Sequence, residues 1–279
     1  MTTLVRFAPA LGDWVAQHLQ QGEAPAALVD AMLARQMART AAQAIVDAFV
    51  LARELGSAPP VDSVDLGPRL ARGPVIETGD RRIRVASCAT GPLLAVLQDV
   101  LSPGECEELI ALARPRLQPS TLVDPATGRD VQTGLRSSLG MFFRPQETPL
   151  IARLDRRLAE LMNLPASHGE GLQLLHYPTG AGSAPHFDFL QPVNEANRAS
   201  IARSGQRIST LVCYLNDVPA GGETVFPQRA WQVTPQRGNA VCFEYDGLDE
   251  ASLHASRPVL QGEKWVATKW MRDRPFISA

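Results

Sequence analysis

Hydrophobic and polar positions recur along this chain with two different periods. Up to residue 56 the spacing is helical. Residues 13–56 are rich in Ala, Leu, Gln and Arg; Leu28, Met32 and Arg35 follow one turn pattern, and Ala42, Ile45, Val46 and Phe49 follow another that ends near Gly56. This predicts a helical pair packed on the rest of the chain. The stretch 57–74, SAPPVDSVDLGPRLARGP, has prolines, glycines and no period, and predicts a linker or extended wrap. RRIRVASCA and PLLAVLQDVL then read as a strand and a buried edge. SPGECEELIALARPRL opens with Ser102 as helix N-cap, Pro103 in the first turn and acids behind it. LIARLDRRLAELMNL (150–164) predicts a second helix, with Leu154, Leu158 and Leu161 on one stripe.

From residue 172 onward the chain is nearly all strand and turn. LQLLHY, HFDF, RISTLVCYL, ETVFP, WQVTP, NAVCFEY, RPVL and KWVATKW are short strands separated by turn residues. Such a run predicts a sandwich or jelly roll, here flanked by helices. The polar stretch 191–206, QPVNEANRASIARSGQ, predicts a mobile loop.

Composition changes this picture little and excludes a good deal. The chain has 279 residues, enough for one large domain with an appendage, and 45% hydrophobic with 20% charged residues is ordinary globular usage. A formal charge of −2 offers no footprint for nucleic acid or an anionic membrane. No apolar run reaches the length of a membrane span, and MTTLVRFAPALGDW does not read as a secretory signal. Cys88, Cys106, Cys213 and Cys242 are far apart, which fits reduced thiols better than a disulfide framework. The expectation is a cytoplasmic enzyme.

The candidate chemistry begins in SAPHFDFL (183–190). His186 and Asp188 stand two apart, so on a strand both side chains point to one face. By themselves they read equally as polar residues at a strand end. LHASRPVLQGEKWVATKW (253–270) adds His254 and an alternating run in which Lys264, Val266, Thr268 and Trp270 share a face. Two histidines and one carboxylate leave three positions open on an octahedral ion, which is how non-haem Fe(II) oxygenases bind a bidentate cosubstrate and dioxygen together. Zinc would call for a closed tetrahedral site, and nothing here supplies a fourth ligand.

Residues 98–276 resemble the catalytic domain of the prolyl 4-hydroxylase family of Fe(II)/2-oxoglutarate dioxygenases. The resemblance runs through LSPGECEELIALAR, RSS at 136–138, HFDF, RISTLVCYLNDVPAGGETVFP, VTPQRGNAVCF and GEKWVATKWMRDRPF. It implies an α+β fold: a double-stranded β-helix (jelly roll) core with flanking helices and an N-terminal helical extension. The implied division is 1–75 for extension and linker and 76–279 for the catalytic domain, its oxygenase core at about 168–275. Carried over residue by residue, His186, Asp188 and His254 would bind Fe(II). Lys264 would pair with the distal carboxylate of 2-oxoglutarate, helped by the hydroxyls of Tyr177 and Thr224. Glu170, Arg207 and Trp270 match positions lining the family's substrate site, and Phe187, Val225 and Trp270 would be apolar walls.

Two positions depart from the family pattern. Ser183 stands where a substrate-facing tyrosine is usual, and Arg272 where a histidine is usual; Arg272 would then be able to grip a substrate carboxylate. The implied reaction couples O2 and 2-oxoglutarate to hydroxylation of an aliphatic carbon, with release of succinate and CO2 and with ascorbate as reductant. The leading substrate is a prolyl residue in a peptide or protein. The alternatives are a free amino acid or related small molecule, and an inactive oxygenase-fold binding module. No nucleic-acid or membrane partner is expected, and no motif specifies an oligomeric state.

Overall fold

A computed structural model describes residues 4–37, 39–65, 70–71, 73–90, 92–119, 122–123, 130–131, 138–245 and 250–278. The chain divides into two compact units, Met1–Pro68 and Arg69–Ala279. The division falls earlier than the 75/76 boundary expected from sequence. Val75–Glu77 is already a strand of the larger unit, and Ile76 belongs to its core.

The first unit holds three helices, α1 (Pro9–Gln20), α2 (Pro25–Ala34) and α3 (Arg39–Leu55), and a short antiparallel pair, Leu4–Arg6 with Ser63–Asp65. The sequence reading expects a helical pair and misses α1. That helix starts at Pro9 with no side-chain cap, and only Gly12, Val15 and Leu19 are buried on it, so its stripe is thin. Val15, Leu28, Ile45 and Phe49 form a core of this unit's own.

The second unit is built on a nine-stranded antiparallel sheet. Its strands and those of a facing sheet are, in chain order, β1 (Val75–Glu77), β2 (Arg82–Thr90), β3 (Leu93–Gln98), β4 (Gln118–Pro119), β5 (Leu139–Phe143), β6 (Leu172–Tyr177), β7 (Ser183–His186), β8 (Arg207–Tyr214), β9 (Thr224–Phe226), β10 (Trp231–Val233), β11 (Ala240–Glu244), β12 (His254–Ser256) and β13 (Lys264–Arg272). The large sheet runs β1-β2-β3-β11-β8-β13-β6-β5-β4, and the small one β7-β12-β9-β10. Two antiparallel sheets with flanking helices are the jelly-roll arrangement expected from the strand pattern.

The central strands are buried on both faces, which is why they read as apolar runs rather than alternations. Leu174, Cys213, Trp265 and Ala267 pack with Leu109 of α4 (Pro103–Ala113) and Leu154, Leu158 and Leu161 of α5 (Pro149–Leu161). Their neighbours Leu175, Val212, Tyr214 and Val266 form a second core with Phe226, Val233 and Phe243. Helix α4 begins as its sequence predicts: Ser102 Oγ accepts from Glu105 N, and the Glu105 carboxylate accepts from Ser102 N. All four cysteines are free, three of them buried.

Two expectations need correction. Residues 195–204, within the expected mobile loop, form helix α6 (Glu195–Ser204), capped by Asn194 Oδ1 accepting from Asn197 N. Its helical signal is faint because only Ser204 is buried on it. HFDF is not a strand throughout: pairing stops at His186, and Asp188 lies in a bend.

Candidate metal and cosubstrate site

A cavity lies where the two sheets face each other. Its lining comes from β6 (Gln173, Leu175, Tyr177), β7 (Ser183, His186), β8 (Val212), β9 (Thr224), β12 (His254, Ala255, Ser256) and β13 (Lys264, Val266, Thr268, Trp270), with Asp188 beside them. Strand register explains this assembly. Tyr177 pairs with Lys264, Leu175 with Val266 and Gln173 with Thr268, and cross-strand partners project to the same face. His186 likewise pairs with His254. Sequence spacing brings His186 near Asp188, but only sheet pairing brings in His254.

The ligand atoms of His186, Asp188 and His254 all lie within 4.8 Å of one another. Each histidine Nε2 stands 3.7 Å from a different oxygen of Asp188. Each Nδ1 lies against a main-chain carbonyl, His186 on Ala184 O at 2.9 Å and His254 on Ser252 O at 3.0 Å. A proton on Nδ1 satisfies that carbonyl and leaves the Nε2 lone pair free to ligate. Burial opposes ionisation of Asp188, but the His254 and His186 rings and the Arg207 guanidinium outweigh it and hold the carboxyl at about 2. Thr210 Oγ1 donates to Asp188 Oδ2 at 2.9 Å and also meets the Tyr245 hydroxyl. Two histidines with one fixed carboxylate fit a divalent ion with open positions.

Lys264, also in the lining, is 2% exposed. Its Nζ donates to Gly222 O at 2.7 Å and Ser256 Oγ at 2.9 Å, and it lies over the rings of Tyr177 and Tyr214 at 5.5 and 5.7 Å. Burial lowers its pKa to about 7, with Glu223 pulling weakly the other way. The GGET turn places Gly222 O there, since Gly221 and Gly222 both adopt positive φ. Thr224 Oγ1 accepts from the Tyr214 hydroxyl at 2.9 Å. A cation in a dry pocket beside hydroxyls suits an incoming carboxylate.

The expected substrate residues separate into two groups. Trp270 and Ser183 line the cavity, though the Ser183 hydroxyl is turned to accept from Ser256 N at 3.0 Å. Glu170, Arg207 and Arg272 do not line it. Arg272 is 2% exposed and its guanidinium is fully engaged by protein groups, so the expected grip on a substrate carboxylate is not what the structure shows. Phe187 and Val225 are also outside the lining; the walls are Leu175, Val212, Val266 and Trp270. Of the RSS stretch only Ser138 is among the described residues.

Sequence reasoning missed Ser256 and Gln173, which carry no motif of their own and enter through register with Thr224 and Thr268 respectively; Thr268 itself lines the cavity with Lys264, Val266 and Trp270, as the alternating run predicts. It also missed Phe142, 51% exposed and paired with Gln173, whose ring lies 6.2 Å from that of Trp270.

Residues 172–272, which include the three candidate ligands and Lys264, match the model of the 2OG-Fe(II) oxygenase superfamily. Prolyl 4-hydroxylase 1 of Arabidopsis thaliana is 41% identical over 202 residues, covering 66% of this chain and 70% of the relative. The chain belongs to the prolyl 4-hydroxylase family. Probable prolyl 4-hydroxylase 3 of the same plant is 39% identical over 203 residues, covering 64% of this chain and 69% of the relative. Among solved structures, the viral collagen prolyl hydroxylase of Paramecium Bursaria Chlorella virus-1, in its 2OG complex, superposes with a TM-score of 0.51. It is 26% identical, and the match covers 65% of this chain and 96% of that one.

Proposed function

We propose that this prolyl 4-hydroxylase family member is an Fe(II)/2-oxoglutarate-dependent dioxygenase that hydroxylates a prolyl residue in a peptide or protein. The observation that carries the reading is the joint placement of His186, Asp188 and His254 in one cavity with a buried lysine, Lys264. When bound, iron with 2-oxoglutarate and dioxygen supplies the oxidant and yields succinate and CO2.

The protein's own part is positioning. His186, Asp188 and His254 would hold Fe(II), their Nδ1 contacts to Ala184 and Ser252 fixing the ring orientation. Lys264 would pair with the distal carboxylate of 2-oxoglutarate, beside the hydroxyls of Tyr177, Thr224 and Ser256. Leu175, Val212 and Val266 are apolar walls of the cavity and would exclude water around a bound cosubstrate. Trp270 lines the cavity and its ring lies 6.2 Å from the half-exposed ring of Phe142, so an aromatic pair stands beside the site and would suit a pyrrolidine ring. Ascorbate as reductant belongs to the same reading.

The test is a succinate-release screen with Fe(II), 2-oxoglutarate and ascorbate against proline-containing peptides, poly-L-proline, free L-proline and L-pipecolate. Release driven by the peptides supports the reading. Release driven only by free amino acids moves the substrate to the small-molecule class. No release with any of them favours an inactive binding module.

A further inference from the structure

Next to the cavity-lining Trp270, whose main-chain oxygen accepts from Glu170 N at 3.0 Å, Glu170 carries two guanidinium groups at once. Its Oε1 accepts from Arg207 Nε at 2.6 Å and from Arg272 Nε at 2.7 Å, and its Oε2 from Arg207 Nη2 at 2.9 Å. Burial disfavours the charge on Glu170, but Arg207 and then Arg272 outweigh it and hold its pKa below the usual value.

Both arginines reach onward to different segments. Arg207 Nη1 donates to the main-chain carbonyl of Asp188 at 3.0 Å, and its guanidinium lies 3.9 Å from the Trp270 ring centre. Arg272 Nη1 donates to Gly205 O at 2.6 Å, and its Nη2 to Ser200 Oγ at 3.1 Å. Ser200 belongs to α6, and Gly205 is its C-cap, with positive φ. Helix α6 is therefore linked to the backbone of a candidate metal ligand by an unbroken series of charged contacts.

Resting on the reading of His186, Asp188 and His254 as a metal site, we propose that Arg272 is a positioning residue that ties the placement of α6 to the placement of Asp188. Its acceptors are four: Glu170 Oε1, Gly205 O, Ser200 O at 3.5 Å and Ser200 Oγ. A planar five-donor fork meets them together, which a lysine ammonium or an imidazole cannot do. The division of labour at Asp188 fits this role: Thr210 fixes the carboxylate, and Arg207 fixes the main chain. At the base of the same segment the Gln206 side chain donates to Leu190 O and accepts from Leu190 N, both at 2.7 Å, so Asp188 and α6 belong to one clasped unit. An α6 displaced by a docking peptide would move Arg272, then Glu170 and Arg207, and so alter the grip on Asp188.

The test uses the full chain with Mn(II) as a redox-inert probe, and compares wild type with Arg272→Ala, Arg272→Lys and His186→Ala. Two quantities are read: Mn(II) affinity by electron paramagnetic resonance, and amide exchange of residues 195–206. Contacts that orient metal ligands typically shift affinity by about 10- to 100-fold. Arg272 acts through two intermediaries, so about tenfold weaker Mn(II) binding is expected in both Arg272 variants, with faster exchange in α6. Lysine is not expected to rescue either.

Faster α6 exchange with Mn(II) affinity within about twofold of wild type would make Arg272 a structural strut only and overturn the proposal. Unchanged exchange would overturn it too. Wild type that binds Mn(II) no better than His186→Ala removes the metal site itself, and the proposal with it. If neither Arg272 variant folds, Ser200→Ala removes one α6 contact alone. It is then expected to shift both readouts about two- to threefold, of the order of one side-chain hydrogen bond, and no shift in either overturns the proposal.

Discussion

A lysine side chain that is 2% exposed and has no ion-pair partner among the described residues is a standing cost to the folded chain. Burial lowers the Lys264 pKa to about 7, against an ordinary 10.5. A folded value below the unfolded one means that unfolding takes up a proton between those limits. The destabilisation is therefore complete below pH 7 and fades as pH rises toward 10.5. Lys264→Met is expected to raise the melting temperature of the cosubstrate-free protein at pH 7 by on the order of 5 °C. The same variant should lose the further rise that 2-oxoglutarate gives wild type. Its apparent KM for 2-oxoglutarate should increase about thirtyfold or more, the usual consequence of removing one partner of a buried charged contact. Thermal melts with and without 2-oxoglutarate check the first pair of statements. An unchanged cosubstrate dependence would assign the carboxylate to another group. A pH profile gives a second check on the same residue. Binding the dicarboxylate needs the charged amine, so 2-oxoglutarate affinity in wild type should hold below pH 7 and fall by up to about tenfold per unit above it.

At the scale of elements, α4 and α5 are pinned to each other and to the sheet by one buried arginine. Arg157 donates to Glu105 at 2.7 and 2.8 Å, to Asp80 at 2.7 and 2.9 Å, and to Val100 O at 3.0 Å. Burial opposes the charge on Glu105, yet Arg157 and the Ser102 amide bring its pKa from 4.5 down to about 2. A folded value below the unfolded one contributes stability that is full above pH 4.5 and lost as pH falls through 2. Urea midpoints measured from pH 6 down to pH 2 should fall more steeply in wild type than in Glu105→Gln, and parallel curves would remove Glu105 from this role. This scale also separates what the sequence could reveal from what it could not. Ser102, Leu154, Leu158 and Leu161 were legible because capping and helical stripes are local. Helix α6 was not, because it is held by polar contacts from Arg272, Ser204 and Asn194 rather than by an apolar face. Ser256 and Gln173 enter the site only through sheet register, which one sequence does not specify; His254 was legible through the family resemblance, and register with His186 is what brings it to the site. Arg272 was legible as a departure from the family pattern, but its direction was not: a strand that buries both faces gives no signal for which neighbours an arginine will meet.

At the scale of the whole molecule, the two units own separate apolar cores with no residue in common. A chain starting at residue 69 is therefore expected to fold and to bind Mn(II) and 2-oxoglutarate like the full protein. Circular dichroism and metal affinity check this, and an unfolded or non-binding fragment would contradict it. Family membership and the cavity together support hydroxylation of a prolyl residue by a site built on His186, Asp188, His254 and Lys264. The most direct measurement is mass spectrometry of a proline-containing peptide incubated under heavy dioxygen with Fe(II), 2-oxoglutarate and either wild type or Asp188→Ala. The account predicts one heavy oxygen atom on a proline of the peptide with wild type, matched by succinate, and none with the variant. Unmodified peptide in the presence of folded, metal-loaded wild type, or equal labelling by Asp188→Ala, would contradict it.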